Sequence, residues 1–259
     1  MKIRFFHFVG NMLVALAVCN VVLLGGCATT STTKQTSKRA TLKAIYTPKP
    51  VEIDGILDDE VWSTAPTYRF SLGQDQTTQG KKLAEPGDVR LAWDDTHFYV
   101  AVKFHDSDLV AEGKEDQLHH YKMGDLLELF LKPEGYSWYW ELYATPTSKK
   151  SSFWFPGRGR VGLESGFQYQ CGLQVAAENN GTVNNWEDRD RYWTAEMAMP
   201  IKDLTSRGET FCPGSNWRIL IARYNYTRYL PWKELSMCPQ LSQTDYHLYE
   251  EYGILELVK

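Results

Sequence analysis

Residues 88–104 read DVRLAWDDTHFYVAVKF, two alternating apolar runs on either side of Asp94-Asp95. In the first run Val89, Leu91 and Trp93 share a face; in the second Phe98, Val100, Val102 and Phe104 do, with His97, Tyr99, Ala101 and Lys103 opposite. Side chains alternate faces along a strand, so this period of two predicts a hairpin. The same pattern recurs outward from it and predicts strands at 125–131, 138–144, 150–155, 167–176, 191–199, 217–224 and 253–258. Helix is expected only as single turns, at Leu57 to Trp62 and, behind Pro200, at Ile201 to Leu204. Many short strands with almost no helix predict an all-β fold, an antiparallel β-sandwich of jelly-roll-like kind. No repeat of propeller length is visible in the sequence.

The chain has 259 residues, of which 43% are hydrophobic and 23% charged, so fibrous and disordered classes are excluded. Nine Trp, 15 Tyr and 11 Phe are the outlier, set against a formal net charge of only -4. A weakly acidic chain without Lys/Arg runs is ill suited to phosphate backbones, which argues against nucleic acid as a partner. Aromatics at this density fill a β core or offer flat faces to a ligand.

The N-terminus reads as an address. Lys2 and Arg4 precede an apolar stretch to Leu24 that is short for a membrane-spanning helix. Leu24-Gly25-Gly26-Cys27 then resembles a bacterial lipobox, with cleavage before Cys27 and a diacylglyceryl group on its sulfur. Residues 1–26 are thus expected to be a signal peptide, and several acyl chains on one residue would hold the protein on a membrane. Ala28, where an Asp would signal inner-membrane retention, favours the outer membrane by the same resemblance. Residues 27–44, rich in Thr, are expected to be a flexible tether, leaving 45–259 as one domain. Cys171, Cys212 and Cys238 remain, enough for one disulfide. Cys212 with Cys238 is the expected pair, both before prolines, with Cys171 in a strand; zinc has no motif.

Five segments, the hairpin among them, carry a resemblance. Val51-Glu52-Ile53-Asp54-Gly55-Ile56-Leu57-Asp58-Asp59-Glu60-Val61-Trp62, the hairpin at 89–102, Gly124-Asp125 with Glu128-Leu129-Phe130, Trp193 to Pro200, and Tyr252 to Leu257 occur in the order found in family 9 carbohydrate-binding modules. The resemblance implies a β-sandwich that recognises the end of a glycan, holding the terminal sugar between two aromatic rings. It places Tyr121 and Tyr246 where characterised members have tryptophans, keeps Glu128, and puts Glu141 where they have an arginine. Related modules also bind calcium, for which Asp106 and Asp108 are the candidates here.

Among the other aromatics, Trp62, Trp93, Trp193 and Trp217 are expected in the core, with at least one of Trp138 and Trp140. Trp154, ahead of a Gly/Pro-rich loop with Arg158 and Arg160, and Trp232, in the 224–250 segment, are expected at the binding surface. The expected function is non-catalytic binding of an oligo- or polysaccharide by a membrane-anchored lipoprotein, on Tyr121, Glu128, Glu141, Trp154, Trp232 and Tyr246. Two alternatives come from other classes. One is a haem-binding electron-transfer domain of the same sandwich type, with Lys122 or Met123 as axial ligand. The other is glycoside hydrolysis. For the latter Asp125 and Glu128 are ill placed, because an odd separation on a strand points them to opposite faces.

Overall fold

The computed structural model describes residues 39–158 and 164–259. Twelve strands build it: β1 (Thr41–Tyr46), β2 (Tyr68–Arg69), β3 (Gly87–Trp93), β4 (His97–His105), β5 (Leu126–Pro133), β6 (Tyr139–Ala144), β7 (Lys150–Phe155), β8 (Gln174–Asn180), β9 (Tyr192–Pro200), β10 (Trp217–Asn225), β11 (Glu234–Cys238) and β12 (Gly253–Val258). The helices are single turns, α1 (Glu60–Thr64), α2 (Gln74–Thr77), α3 (Glu164–Phe167) and α4 (Ile201–Leu204).

The strands join in the order β7-β6-β5-β10-β12-β1-β3-β4-β9-β8, with β11 on β10 and β2 on β3. The fold is an all-β sandwich, but its hydrogen bonding is mixed rather than purely antiparallel. β1 runs parallel to both β12 and β3, and so ties the two halves together. That strand also moves the expected domain start. Thr41–Ala44, assigned to the tether on composition, lie in the sheet, where Leu42 and Ala44 are buried. The strand expected at 167–176 is displaced to β8, and Cys171 sits in the turn before it. The disulfide does not form: Cys171, Cys212 and Cys238 are all free, Cys212 exposed and Cys238 buried.

The inward faces of both halves make one core. Leu91 and Val100 of the hairpin meet Met197 of β9, Leu129 of β5, Trp140 of β6 and Ile219 of β10. Trp62, Trp93, Trp138, Trp140, Trp193 and Trp217 are all buried. Both outward faces are covered as well. Over β3, β4 and β9, Val51, Val61 and Trp62 pack on Tyr99, Ala101 and Ala198. Over β5, β6, β7 and β10, the 237–252 segment lays Met237, Leu241, Tyr246 and Tyr252 on Phe130, Tyr139, Phe155 and Leu220.

The first cover is fastened by a carboxylate. Glu196, outward on β9, accepts from Trp62 Nε1 at 2.7 Å through one oxygen, and from Gly55 N at 3.0 Å and Asp54 N at 3.2 Å through the other. Thr194 Oγ1 adds a 2.7 Å bond to the Gly55 carbonyl. Gly55 has φ +88°, and a Cβ there would meet the Ala177 backbone at 2.6 Å, so only glycine fits. The Ile-Asp-Gly…Trp segment and the Trp-x-Ala-Glu strand are therefore two ends of one structural clamp.

Candidate functional site

The second cover leaves a gap. Trp138, just before β6, and Trp140 and Leu142 along it point into the core, so Tyr139, Glu141 and Tyr143 point outward. On β5 the same alternation buries Leu127 and Leu129 inward and sets Leu126, Glu128 and Phe130 outward. On β7 it sends Phe153 and Phe155 outward. Where the 237–252 segment does not reach, these side chains border a pocket of about 180 Å³. Its lining is Glu128, Glu141, Tyr143, Phe153, Phe155, Tyr224 from β10, His119 and Tyr121 from before β5, and Tyr246 and His247 from the cover.

The walls are mutually braced aromatics. Phe153 meets Tyr143 edge-on at 5.0 Å and stacks with His119 at 5.8 Å and 10°. Tyr224 contacts Tyr121 at 5.8 Å and Tyr246 at 5.6 Å. The Tyr246 hydroxyl lies 2.9 Å from the Arg223 carbonyl and 3.0 Å from that of Ser236, which fixes the ring as a wall. His247 accepts or donates at Nδ1 to the Tyr139 hydroxyl at 2.7 Å.

The floor holds two carboxyl groups that water barely reaches, Glu128 at 2% exposure and Glu141 at 4%. Tyr143 donates its hydroxyl to Glu141 Oε1. Oε2 of each acid is buried without a hydrogen-bond partner. Burial, and then the nearby Glu141, hold Glu128 well above the usual carboxylate range. Burial pushes Glu141 up to about 7, against the opposing Tyr143 hydrogen bond. Burial lowers His247, which disfavours the charged ring that, 3.9 Å from Glu141 Oε2, would offset the acid.

Four of the six expected sugar-site residues, Tyr121, Glu128, Glu141 and Tyr246, are thus brought to one pocket from four separate segments. The other two are elsewhere. Trp154 faces away from Phe153 and Phe155, packs against the main core 6.1 Å from Trp138, and carries the Arg207 guanidinium 4.1 Å over its ring. Trp232 is 77% exposed outside the pocket. Arg158 pins the cover by donating to the His247 carbonyl at 3.0 Å and pairing with Glu250. Cys27 and Arg160 lie outside the described residues. Sequence reasoning missed Tyr143, Phe153, Phe155 and Tyr224 as lining residues. The signal was there in β6 and β7, whose second face is aromatic rather than polar, so that something must cover it.

Two expectations about cofactors find no support in the donor sets. Asp106 pairs with Arg223 at 2.9 Å and Asp108 with Arg228 at 2.6 Å, so guanidinium groups occupy the carboxylates that calcium would need. Among the described residues no group of three or more metal-ligating side chains converges. Lys122 and Met123, the candidate haem ligands, do not line the pocket. Asp125 and Glu128 separate as their spacing requires: Asp125 accepts from Val110 N at 2.7 Å and Tyr226 N at 2.6 Å, away from the pocket.

Residues 53–206 match the family described as carbohydrate family 9 binding domain-like. Among solved structures, a candidate carbohydrate-binding protein from Bacteroides uniformis superposes with a TM-score of 0.64 at 10% identity, over 85% of this chain and 100% of that one. A family 9 carbohydrate-binding module from Caldicellulosiruptor kristjanssonii in complex with cellotriose gives 0.53 at 13% identity, over 84% and 93% of the two chains. The same organism's module in complex with glucose gives 0.51 at 13% identity, over 84% and 95%. Among curated proteins no sequence matches.

Proposed function

This chain belongs to the carbohydrate family 9 binding domain-like family, and on that premise we propose that it captures the end of a glycan in the pocket over β5, β6, β7 and β10. The observation that carries the reading is the pair of buried, unpartnered carboxyl oxygens of Glu128 and Glu141 inside an aromatic wall. A sugar supplies what that site lacks: hydroxyl donors for the acids and C–H faces for Tyr121, Phe153 and Tyr224. At about 180 Å³ the pocket is smaller than the roughly 300–1,000 Å³ of drug-sized sites, which suits one ring rather than a chain lying lengthwise. The braced, buried walls favour binding without chemistry. Cys27, behind Leu24-Gly25-Gly26, would hold the domain at the outer membrane through its lipid, so that captured polysaccharide stays near the cell.

Calorimetric titration with glucose, cellobiose and N-acetylated and acidic disaccharides tests the binding reading. Saturable heat with at least one of them is expected. Silence with all would overturn it.

A further inference from the structure

Resting on that reading and narrowing its ligand, we infer that the pocket selects a sugar bearing a free, protonated amine, whose ammonium sits between Glu128 and Glu141. The placement follows from strand register. Glu128 on β5 faces Tyr143 on β6 and Phe130 faces Glu141, so the two acids are diagonal neighbours on one sheet face. Each presents a buried Oε2 with no partner, and both line the pocket.

Carboxylates this deep are ordinarily matched by a cation, because an uncompensated buried charge is costly. Among the described residues this pocket has none of its own: no Lys or Arg lines it, and burial drives its two histidines toward the neutral form. Among the described residues no lysine or arginine forms an ion pair with either acid, and Lys122 Nζ lies 5.3 Å over the Tyr121 ring. Lys233 lowers Glu128 in part from outside the lining, but its Nζ donates to the Tyr226 hydroxyl at 3.1 Å and lies 4.9 Å over the Tyr224 ring. Arg158 is paired with Glu250, and Arg223 pairs with Asp106 at 2.9 Å. The pocket therefore lowers its charge by keeping a proton on the acids, in keeping with their raised titration.

A ligand ammonium can replace that proton, which leaves to solvent. It brings a full positive charge and three donors, where a hydroxyl brings one donor and no charge. Tyr143 and Phe153 line the same pocket, and an aromatic ring attracts a cation placed over its face. The remaining ring hydroxyls and C–H faces of the sugar would meet the rest of the wall as in the neutral case.

The test is calorimetric titration of the full-length protein at neutral pH with four probes: the β-1,4 disaccharide of glucosamine, its di-N-acetyl form, cellobiose and cyclohexylamine. The amine disaccharide is expected to bind at least tenfold more tightly than the other three, and Glu141→Gln is expected to erase that preference. Equal affinity for the three sugars would overturn the inference while leaving sugar binding intact. Cyclohexylamine binding as tightly as the amine disaccharide would overturn the assignment to a sugar. Silence with every sugar would overturn the proposed function as well. The wild-type series decides these outcomes even where the variant fails to fold.

Discussion

Replacing Glu196 by Ala removes one acceptor from three donors at once. Gly55 N and Trp62 Nε1 are buried, and Asp54 N is partly so. A buried donor left unpaired costs about 1–3 kcal/mol, so the two buried ones alone put the loss at about 2–6 kcal/mol. Relief from burying the carboxyl offsets some of this, and about 3 kcal/mol net is expected. Against the roughly 5–15 kcal/mol of a typical domain that is a large fraction, and at about 2–4 °C per kcal/mol it lowers the melting temperature by about 6–12 °C. Glu196→Gln should recover no more than half. Its amide oxygen can face either Trp62 Nε1 or the Asp54 and Gly55 amides, and its NH₂ then opposes the other set. Urea denaturation of wild type, Glu196→Ala, Trp62→Phe and the double variant measures the coupling directly. Once the acceptor is gone, Trp62→Phe should cost less than in wild type by at least about 1 kcal/mol. Additive losses, or a Glu196→Ala variant within about 1 kcal/mol of wild type, would refute the clamp.

The acid pair makes stability depend on pH. Folded Glu128 and Glu141 titrate above their ordinary range, so their contribution is complete below about pH 4.5 and is lost as pH rises through the folded value, about 7 for Glu141. Thermal melts from pH 5 to 8 should fall in wild type and fall less in Glu141→Gln, with a difference of up to about 3 kcal/mol. Tyr121→Ala should weaken sugar binding by about tenfold while Trp232→Ala leaves it unchanged, since only the former lines the pocket; titration of both compares them. Cys27→Ala should abolish incorporation of labelled fatty acid and release the protein from the membrane fraction, checked by fractionation after metabolic labelling.

The hairpin at 88–104 was legible because one face is apolar, and the period of two cannot be mistaken over eight residues of β4. β1 was not legible. Thr41–Tyr46 is short, polar on one face and continuous with a Thr-rich stretch, and its place between β12 and β3 depends on partners far along the chain. The parallel pairing was hidden for the same reason, as strand direction is a property of the neighbour. β11 was passed over because Glu234–Cys238 lies inside a segment whose tyrosines read as loop.

The site divides along the same line. Sequence by itself determined that Glu128 and Glu141 stand on strands, that Asp125 and Glu128 point apart, and that this β chain carries more aromatics than ordinary charge and size require. Only the tertiary structure decided which aromatics matter. Trp154 and Phe153 are adjacent and equally apolar, yet one faces the core and the other the pocket, because β7 takes its register from β6. Only the fold, too, could show that the two acids share a buried floor. Residues thirteen apart become diagonal neighbours when β5 and β6 pair, and Tyr246 and His247, which wall the pocket beside them, come from more than a hundred residues downstream.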